Sequence, residues 1–363
     1  MADQSDISAA EHMAVKHAPA IAEARRRRDT AIEKYKKKEA PKHASERESL
    51  FATLKTGAPK TDPQKDIFRG IWDEALESGD LDTLVFLNTS KEDMYINWTE
   101  SLFRAAENGH LDIVKYCHDN GGNITARDHW ALVVAAGNGH LDIVKYCHEN
   151  GGVITGHDNQ ALCRAAKNGY LDIVKYCHDN GGDITANDNE TLRFAAKKGH
   201  LDIVKYLHQN GVDIKANNNM TLRSAAGNGH LDIVKYCHDK GVDITAHDNE
   251  ALVLAAANGH LDIVKYCHDN GGVITVNDNE ALVLAAETGH LDIVKYCHDN
   301  GGDITANDNE TLRVAARSGY WNIAEFLISE GLPEDELSPL DKQYLELYRL
   351  WTGRHGFFPQ GCL

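Results

Sequence analysis

The chain has 363 residues, of which 42% are hydrophobic and 26% charged, and its formal net charge at pH 7 is −17. Its apolar segments are all too short to span a bilayer, and the N-terminus lacks the apolar core of a signal peptide. These features predict an intracellular, cytoplasmic protein with no membrane partner.

Residues 1–65 form a charged N-terminal arm that differs in sign from the rest of the chain. The arm holds 14 Lys and Arg against 10 Asp and Glu, a net charge of +4, whereas the remainder holds 24 against 45. Seven of its basic residues form two runs: Arg25, Arg26, Arg27, Arg28, Lys36, Lys37 and Lys38. Such runs favour contact with nucleic acid, an acidic protein surface or an import receptor, but a solvated, partly helical or disordered tail explains them equally well.

The ten-residue string GHLDIVKYCH, first seen at Gly109, recurs every 30 residues with few changes up to Gly289. A fixed period of this length predicts a solenoid in which each unit buries its apolar face against its neighbours. Within a unit, apolar residues three and four positions apart predict two short helices. In the unit that begins at Asp248, we expect Asp248 and Asn249 to cap the first helix, and Gly259 and Gly271 to end the two helices.

The order of turn, helix, Asn-Gly and helix resembles the ankyrin repeat, and GHLDIVKY matches the second-helix pattern of that family. The period is 30 residues rather than the usual 33 or so, and Glu-Ala-Leu-Val or Glu-Thr-Leu-Arg replaces the TPLH start. The resemblance therefore implies an all-α fold, an α-solenoid of ankyrin-like helix-turn-helix repeats with short hairpin or turn fingers. Short units of this kind look like the ankyrin arrays of giant DNA viruses of amoebae, which implies a location in the host cytoplasm or in a virion.

The repeats and their flanking segments predict five regions. Terminal repeats diverge because one of their faces meets water instead of another repeat. Pro339 after Ser338 is a helix start signal. The predicted regions are the arm at 1–65, an N-terminal capping repeat at 66–97, seven repeats at 98–307, a C-terminal capping repeat at 308–337, and a closing helix and tail at 338–363.

Cysteine and histidine form columns that repeat with the units, and these columns invite a metal hypothesis. Six cysteines share one helical position, which Leu207 occupies in another repeat, so the thiol serves as a small hydrophobe in a reducing compartment. Equivalent residues of stacked repeats lie about 8–10 Å apart, too far to share a zinc ion. We therefore predict no metal and no cofactor. The motifs of the common enzyme classes are absent, which predicts a chain that is not an enzyme.

Binding is expected at positions that vary between otherwise copied units. The resemblance implies that the first helices and the turns line a concave face used for protein partners. The predicted partner-binding residues on this face are Trp130, Val133, Lys167, Arg193, Lys197, Met220, Arg223, Val253, Ala257 and Val283. Lys167, Arg193, Lys197 and Arg223 form a basic zone expected to attract an acidic or C-terminal peptide segment, and Trp130 is the expected aromatic anchor.

Two hypotheses and a neutral alternative follow. The first is a non-catalytic scaffold, monomeric as a solenoid, that binds a protein along the concave face. The second is a structural component of a larger assembly, such as a virion, in which the basic arm makes the key contacts. Nucleic acid is expected only as a partner of the arm, because the solenoid is acidic. Neutral drift after duplication explains the variable positions without any partner.

Overall fold

The structure, a computed structural model, describes residues 62–90 and 96–355. The predicted basic runs of the arm lie outside these residues. The described part of the chain forms 19 α-helices and one short 3₁₀ helix, and it contains no strand. The chain divides into two compact units, residues 1–161 and 162–363.

Unit 1 is built from helix pairs that follow one another along the chain. Successive first helices pack side by side, and each packs against the second helix of its own repeat. The described helices are α1 (Asp62–Ser78), α2 (Leu81–Ser90), α3 (Trp98–Asn108), α4 (Leu111–Asp119), α5 (Ala126–Asn138), α6 (Leu141–Glu149) and the start of α7 (Gly156–Asn168).

Unit 2 repeats the same arrangement from the remainder of α7 onward. Its first helices are α9 (Ala186–Lys198), α11 (Ala216–Gly227), α13 (Ala246–Ala257), α15 (Val276–Thr288) and α17 (Ala306–Arg317). Its second helices are α8 (Leu171–Asp179), α10 (Leu201–Gln209), α12 (Leu231–Asp239), α14 (Leu261–Asp269), α16 (Leu291–Asp299) and α18 (Trp321–Ser329). A 3₁₀ turn (Glu334–Glu336) and α19 (Pro339–His355) follow. The stacking within each unit confirms the predicted α-solenoid.

The core is made of the same few side chains in every repeat. In the repeat that contains α13 and α14, these are Leu252, Ala255, Ala256, Ile263, Val264 and Cys267, all with no exposed surface. The alanine pair has little side-chain volume, so neighbouring first helices can approach closely. The predicted burial of the cysteine column is confirmed, since all six of its members are fully buried.

Of the predicted hairpin or turn fingers, the structure forms the turn: a left-handed segment lies at the start of seven first helices. In unit 2, His247, Asp248 and Asn249 have φ angles of 53°, 55° and 60°, and the equivalent triplets of the other six repeats are left-handed as well. Asn, Asp and His occupy this region more readily than other residues with side chains, and they fill almost all of these positions. The prediction of Asp248 and Asn249 as N-caps was wrong. Asn249 instead accepts a hydrogen bond of 3.0 Å from the backbone N–H of Val273 in the following repeat.

The C-terminal helix closes unit 2. Ser338 accepts a hydrogen bond of 3.1 Å from the backbone N–H of Asp341, which confirms the predicted helix start. Trp321 packs against Tyr344 with ring centroids 5.8 Å apart. Arg349 donates to the carboxylates of Glu325 and Glu334. The contact between Trp321 and Tyr344 and the two bonds from Arg349 to carboxylates therefore take the place of the contacts that a further repeat would make.

Candidate functional site

The helical period determines which side of the first helices in unit 2 remains exposed. Taking Arg193 as the origin, Lys197 lies about 40° and Phe194 about 100° around the helix axis, whereas the buried Leu192 and Ala195 lie in the opposite arc. We call the exposed and half-exposed side chains at these positions the first-helix face. Its members in unit 2 are Lys167, Arg193, Phe194, Lys197, Met220, Arg223, Leu254, Ala257, Val283, Leu284 and Glu287.

Three of the predicted basic residues are exposed, and two of them, Lys167 and Arg193, lie over one aromatic ring. The Nζ atom of Lys167 and the guanidinium carbon of Arg193 each lie 5.6 Å from the centroid of the Phe194 ring. Lys197 is one helical turn beyond Arg193 and is also exposed. Among the described residues, no carboxylate lies within salt-bridge distance of Lys167 or Lys197. The face therefore has two cations available for an outside anion.

Arg223, the fourth predicted basic residue, is already engaged. Its guanidinium lies 2.5 Å from a carboxylate oxygen of Glu250 in the next repeat, and only a quarter of its side chain is exposed. Arg193 has a weaker partner within its own helix, because its guanidinium lies 3.4 Å from the carboxylate of Glu190. The basic zone is consequently narrower than predicted and is centred on Phe194.

Two predicted contact residues are buried, which corrects their assignment to the binding face. Val133 in unit 1 is 1% exposed and Val253 in unit 2 is 6% exposed. Their column lies only about 60° around the helix from the buried alanine three residues later, so a short side chain there is covered by its neighbours. A long side chain at the same position emerges, as Arg193 does.

The remaining predicted residues are half-buried. In unit 1, Trp130 meets the ring of His157 edge to face, with centroids 5.8 Å apart, so its ring already packs within that unit. In unit 2, Met220, Ala257 and Val283 are half-buried on the first-helix face. In the structure, the aromatic side chain that lies next to the cations is Phe194. The sequence analysis did not identify this residue. Aligning the units would have revealed it, because Ser224, Leu254 and Leu284 fill the same position elsewhere.

The second helices carry an outward column of Lys, Tyr and His whose contacts run from one repeat to the next. In unit 2, the Nδ1 atom of His208 is hydrogen-bonded to the hydroxyl of Tyr236 at 2.8 Å, and the Nζ atom of Lys205 lies 5.7 Å from the centroid of the same ring. Burial raises the pKa of the Tyr236 hydroxyl. The same pattern links His178, His238 and His268 to Tyr206, Tyr266 and Tyr296.

The other histidine column, just before the second helices, packs against glycine. In unit 2, the Nε2 atom of His230 donates to the backbone carbonyl of Lys197 at 3.0 Å. The ring lies so close to Gly199 that a Cβ on that residue would be 2.6 Å from Nδ1. Both histidine columns therefore connect repeats. No group of three or more residues able to hold a metal ion occurs in the described ranges 62–90 and 96–355.

Unit 1 contains a cleft of about 280 Å³ between α1 and α3. Phe68, Trp72 and Leu76 form its apolar floor, and the indole N–H of Trp72 donates to the hydroxyl of Ser101 at 3.1 Å. Arg104 at the rim pairs with Asp73 and Glu77. The rim charges thus neutralise one another, and the cleft lacks the excess of one sign seen around Phe194.

These features define a helical repeat protein whose outward side chains on the second helices link the repeats and whose first helices present a variable face. A family model described as ankyrin repeats matches residues 74–152, 102–188, 192–278 and 252–335. The chain therefore belongs to the ankyrin-repeat family, whose repeats generally mediate protein–protein interaction and are typically non-catalytic. No curated protein matches the chain in a sequence comparison. Among the described helices, none has the length and apolar character needed to cross a membrane.

Proposed function

We propose that the chain is a non-catalytic scaffold that binds a protein partner along the first-helix face. The observation that carries this proposal is the different use of the outward side chains on the two helices of a repeat. Those of the second helices, such as Lys205 and His208, contact the next repeat. The exposed side chain of Lys197 on a first helix makes no ion pair, hydrogen bond or ring contact with the described residues, and Lys167, which lies over the ring of Phe194 in the next repeat, is exposed and has no carboxylate partner there.

The proposed scaffold acts inside cells, in the cytoplasm of a cell or within a viral particle. All seven cysteines in the described part of the chain are free thiols. Burial raises the pKa of the column thiols, for example that of Cys237 to about 12, so they stay protonated and resist oxidation. A free, apolar thiol column suits a reducing compartment.

Site-specific photo-crosslinking in the full-length chain tests the proposed face. A crosslinking residue is placed at Lys197 or Ala257 on first helices, and at Lys205 or Lys265 on second helices as matched controls in the same repeats. The partner is expected to crosslink from the two first-helix positions and not from the controls. Equal crosslinking from both sets, or crosslinking from the second helices alone, would contradict the proposal.

Removal of residues 1–61 separates this function from the alternative in which the basic arm makes the key contacts in an assembly. The truncated chain is expected to give the same crosslinks from Lys197 and Ala257. If the truncation abolishes every crosslink while Lys167→Glu and Lys197→Glu do not, the arm carries the binding and the first-helix face does not.

A further inference from the structure

Charge is unevenly distributed along unit 2. Residues 162–240 hold 11 Lys and Arg against 9 Asp and Glu, whereas residues 241–363 hold 7 against 20. Within the first stretch, the cations nearest to Phe194 are Lys167 and Arg193, with Lys197 one turn away. A partner that approaches unit 2 therefore meets a small positive region on a chain that is otherwise acidic.

The ring of Phe194 gives this positive region an apolar centre. It is half-buried, so one part of the ring packs into the protein and the rest contacts solvent. Leu254 and Leu284 continue the same column in later repeats and are half-buried too. Removing such partly exposed apolar surface from water favours binding. The cations beside it supply charge-assisted hydrogen bonds to carboxylates.

From this juxtaposition we propose that the partner segment is an acidic peptide that places one large apolar side chain on Phe194 and its carboxylates on Lys167, Arg193 and Lys197. This inference rests on the proposed function, since it assigns a chemical class to what the first-helix face binds. Each cation comes from a helix whose backbone is fixed by the repeat stack, so the Cα positions from which the three charged side chains extend are set before binding.

The surrounding charges favour a peptide over a nucleic acid. Glu190 and Glu250 lie next to the basic positions and hold Arg193 and Arg223. A nucleic acid presents a phosphate at every nucleotide and needs a continuous basic track, and residues 241–363 would repel it. A short peptide with two or three carboxylates fits the available cations and need not extend over the acidic repeats.

The test is a selection of random twelve-residue peptides on phage against the full-length chain, followed by fluorescence anisotropy with the selected peptides. Enriched peptides are expected to carry several Asp or Glu residues beside one Phe, Trp or Leu. Their affinity is expected to fall about tenfold when the salt concentration rises from 50 to 300 mM, as screening of such contacts requires. Enrichment of neutral or basic peptides, or of none, would overturn the proposal.

Charge reversal locates the site. Lys167→Glu with Lys197→Glu is expected to weaken binding of a selected peptide at least about thirtyfold. The matched control is Lys175→Glu with Lys205→Glu, which makes the same change in net charge on the second helices of the same two repeats and is expected to change affinity less than about twofold. Circular dichroism checks that both variants fold. Equal losses would show that the whole field of the chain, and not this site, attracts the peptide.

Two results separate this inference from the proposed function. If a neutral peptide binds and crosslinks from Lys197, the first-helix face is the binding face and only the acidic class is wrong. If selected peptides crosslink only from Lys205 or Lys265, both proposals fail. A third result would assign the site to nucleic acid instead of a peptide. In that case a single-stranded oligonucleotide would bind more tightly than any acidic peptide, and the Lys167→Glu, Lys197→Glu variant would lose this binding.

Discussion

The two helices of a repeat differ in how much they vary between neighbouring units. The second helices α12, α14 and α16 are identical, and α10 differs from them at two positions, whereas the first helices α9, α11, α13 and α15 vary among themselves at several exposed positions. Outward side chains of a second helix contact the following repeat, so a change there alters two repeats at once. On a first helix the core is formed mainly by leucine and alanine positions, and the outward side chains are left to vary.

This difference between the helices indicates which positions can specify a partner. A residue that connects repeats can be changed for a ligand only with some loss of stability, about 0.5–1 kcal/mol for an exposed lysine over an aromatic ring. Lys205 and His208 are of this kind, whereas Lys197 is not. Substitutions at buried, connecting and outward positions therefore test whether the two helices differ in this way.

The largest effect is expected where a charge is buried in the first-helix stack. Ala255 has no exposed surface, while Ala257, two residues later on the same helix, is half-exposed. Ala255→Arg is expected to lower the free energy of unfolding by about 4 kcal/mol or more through overpacking and burial of an unpaired charge. Ala257→Arg is expected to change it by less than about 1 kcal/mol. Urea denaturation of both variants measures the difference.

Hydrogen exchange then tests whether the damage is local. A one-dimensional stack predicts that Ala255→Arg lowers protection mainly in α11, α13 and α15, because repeats contact only their neighbours. Uniform loss of protection throughout unit 2 would show that its repeats unfold as one block. Equal destabilisation by the two arginine variants would remove the distinction between buried and outward positions on a first helix.

A smaller effect is expected at the glycines that follow the first helices, some of which pack against a histidine ring of the next repeat. Gly199 and Gly319 have φ angles of 81° and 78°, so alanine at either position adds about 1–2 kcal/mol of left-handed strain. Only Gly199 faces a neighbouring ring, that of His230, which is held by its bond to the carbonyl of Lys197. Gly199→Ala is therefore expected to cost about 2–4 kcal/mol and Gly319→Ala about 1–2 kcal/mol. Equal losses in thermal unfolding would mean that the His230 ring yields without cost.

The sequence predicted the helices and the core because period and composition determine them locally. Glycine at the C-terminus of a helix, as at Gly259, and apolar residues three and four apart need no knowledge of distant contacts. The left-handed triplet ending at Asn249 was not predicted, because the Asn249 side chain accepts its hydrogen bond from the backbone N–H of Val273 in the next repeat. A bond of this kind depends on how repeats stack, which a single unit does not reveal.

The candidate site was predicted only in part, because exposure at its positions depends on side-chain length. Val253 and Arg193 occupy the same position in different repeats, yet the valine is buried and the arginine emerges. Lys167, Arg193 and Lys197 were identified, whereas Phe194 was not, because it lies one residue outside the columns that vary most in charge. The engagement of Arg223 by Glu250 is another contact between repeats that spacing alone does not indicate.

The smallest effect per residue concerns the thiols on the buried side of the second helices. Burial raises the pKa of Cys237, Cys267 and Cys297 from 9.0 to about 12. The folded state then holds protons that the unfolded state releases, so stability is unaffected below about pH 9 and falls as pH rises from about 9 towards 12. Each thiol is expected to contribute about 1.4 kcal/mol of this loss per pH unit.

Replacing these three cysteines by alanine isolates the contribution of the thiols, since the half-buried tyrosines, whose raised pKa acts in the same direction, remain. The triple variant is expected to be less stable than the parent at pH 7, because sulfur atoms are lost from the core. Its free energy of unfolding should nevertheless fall less steeply between pH 9 and 10, by about 4 kcal/mol per pH unit for three thiols at most. Denaturant titrations at a series of pH values give both slopes. Parallel slopes would mean that the thiols of the second helices ionise without unfolding the stack, and that this side of the repeat is less tightly closed than the first-helix core.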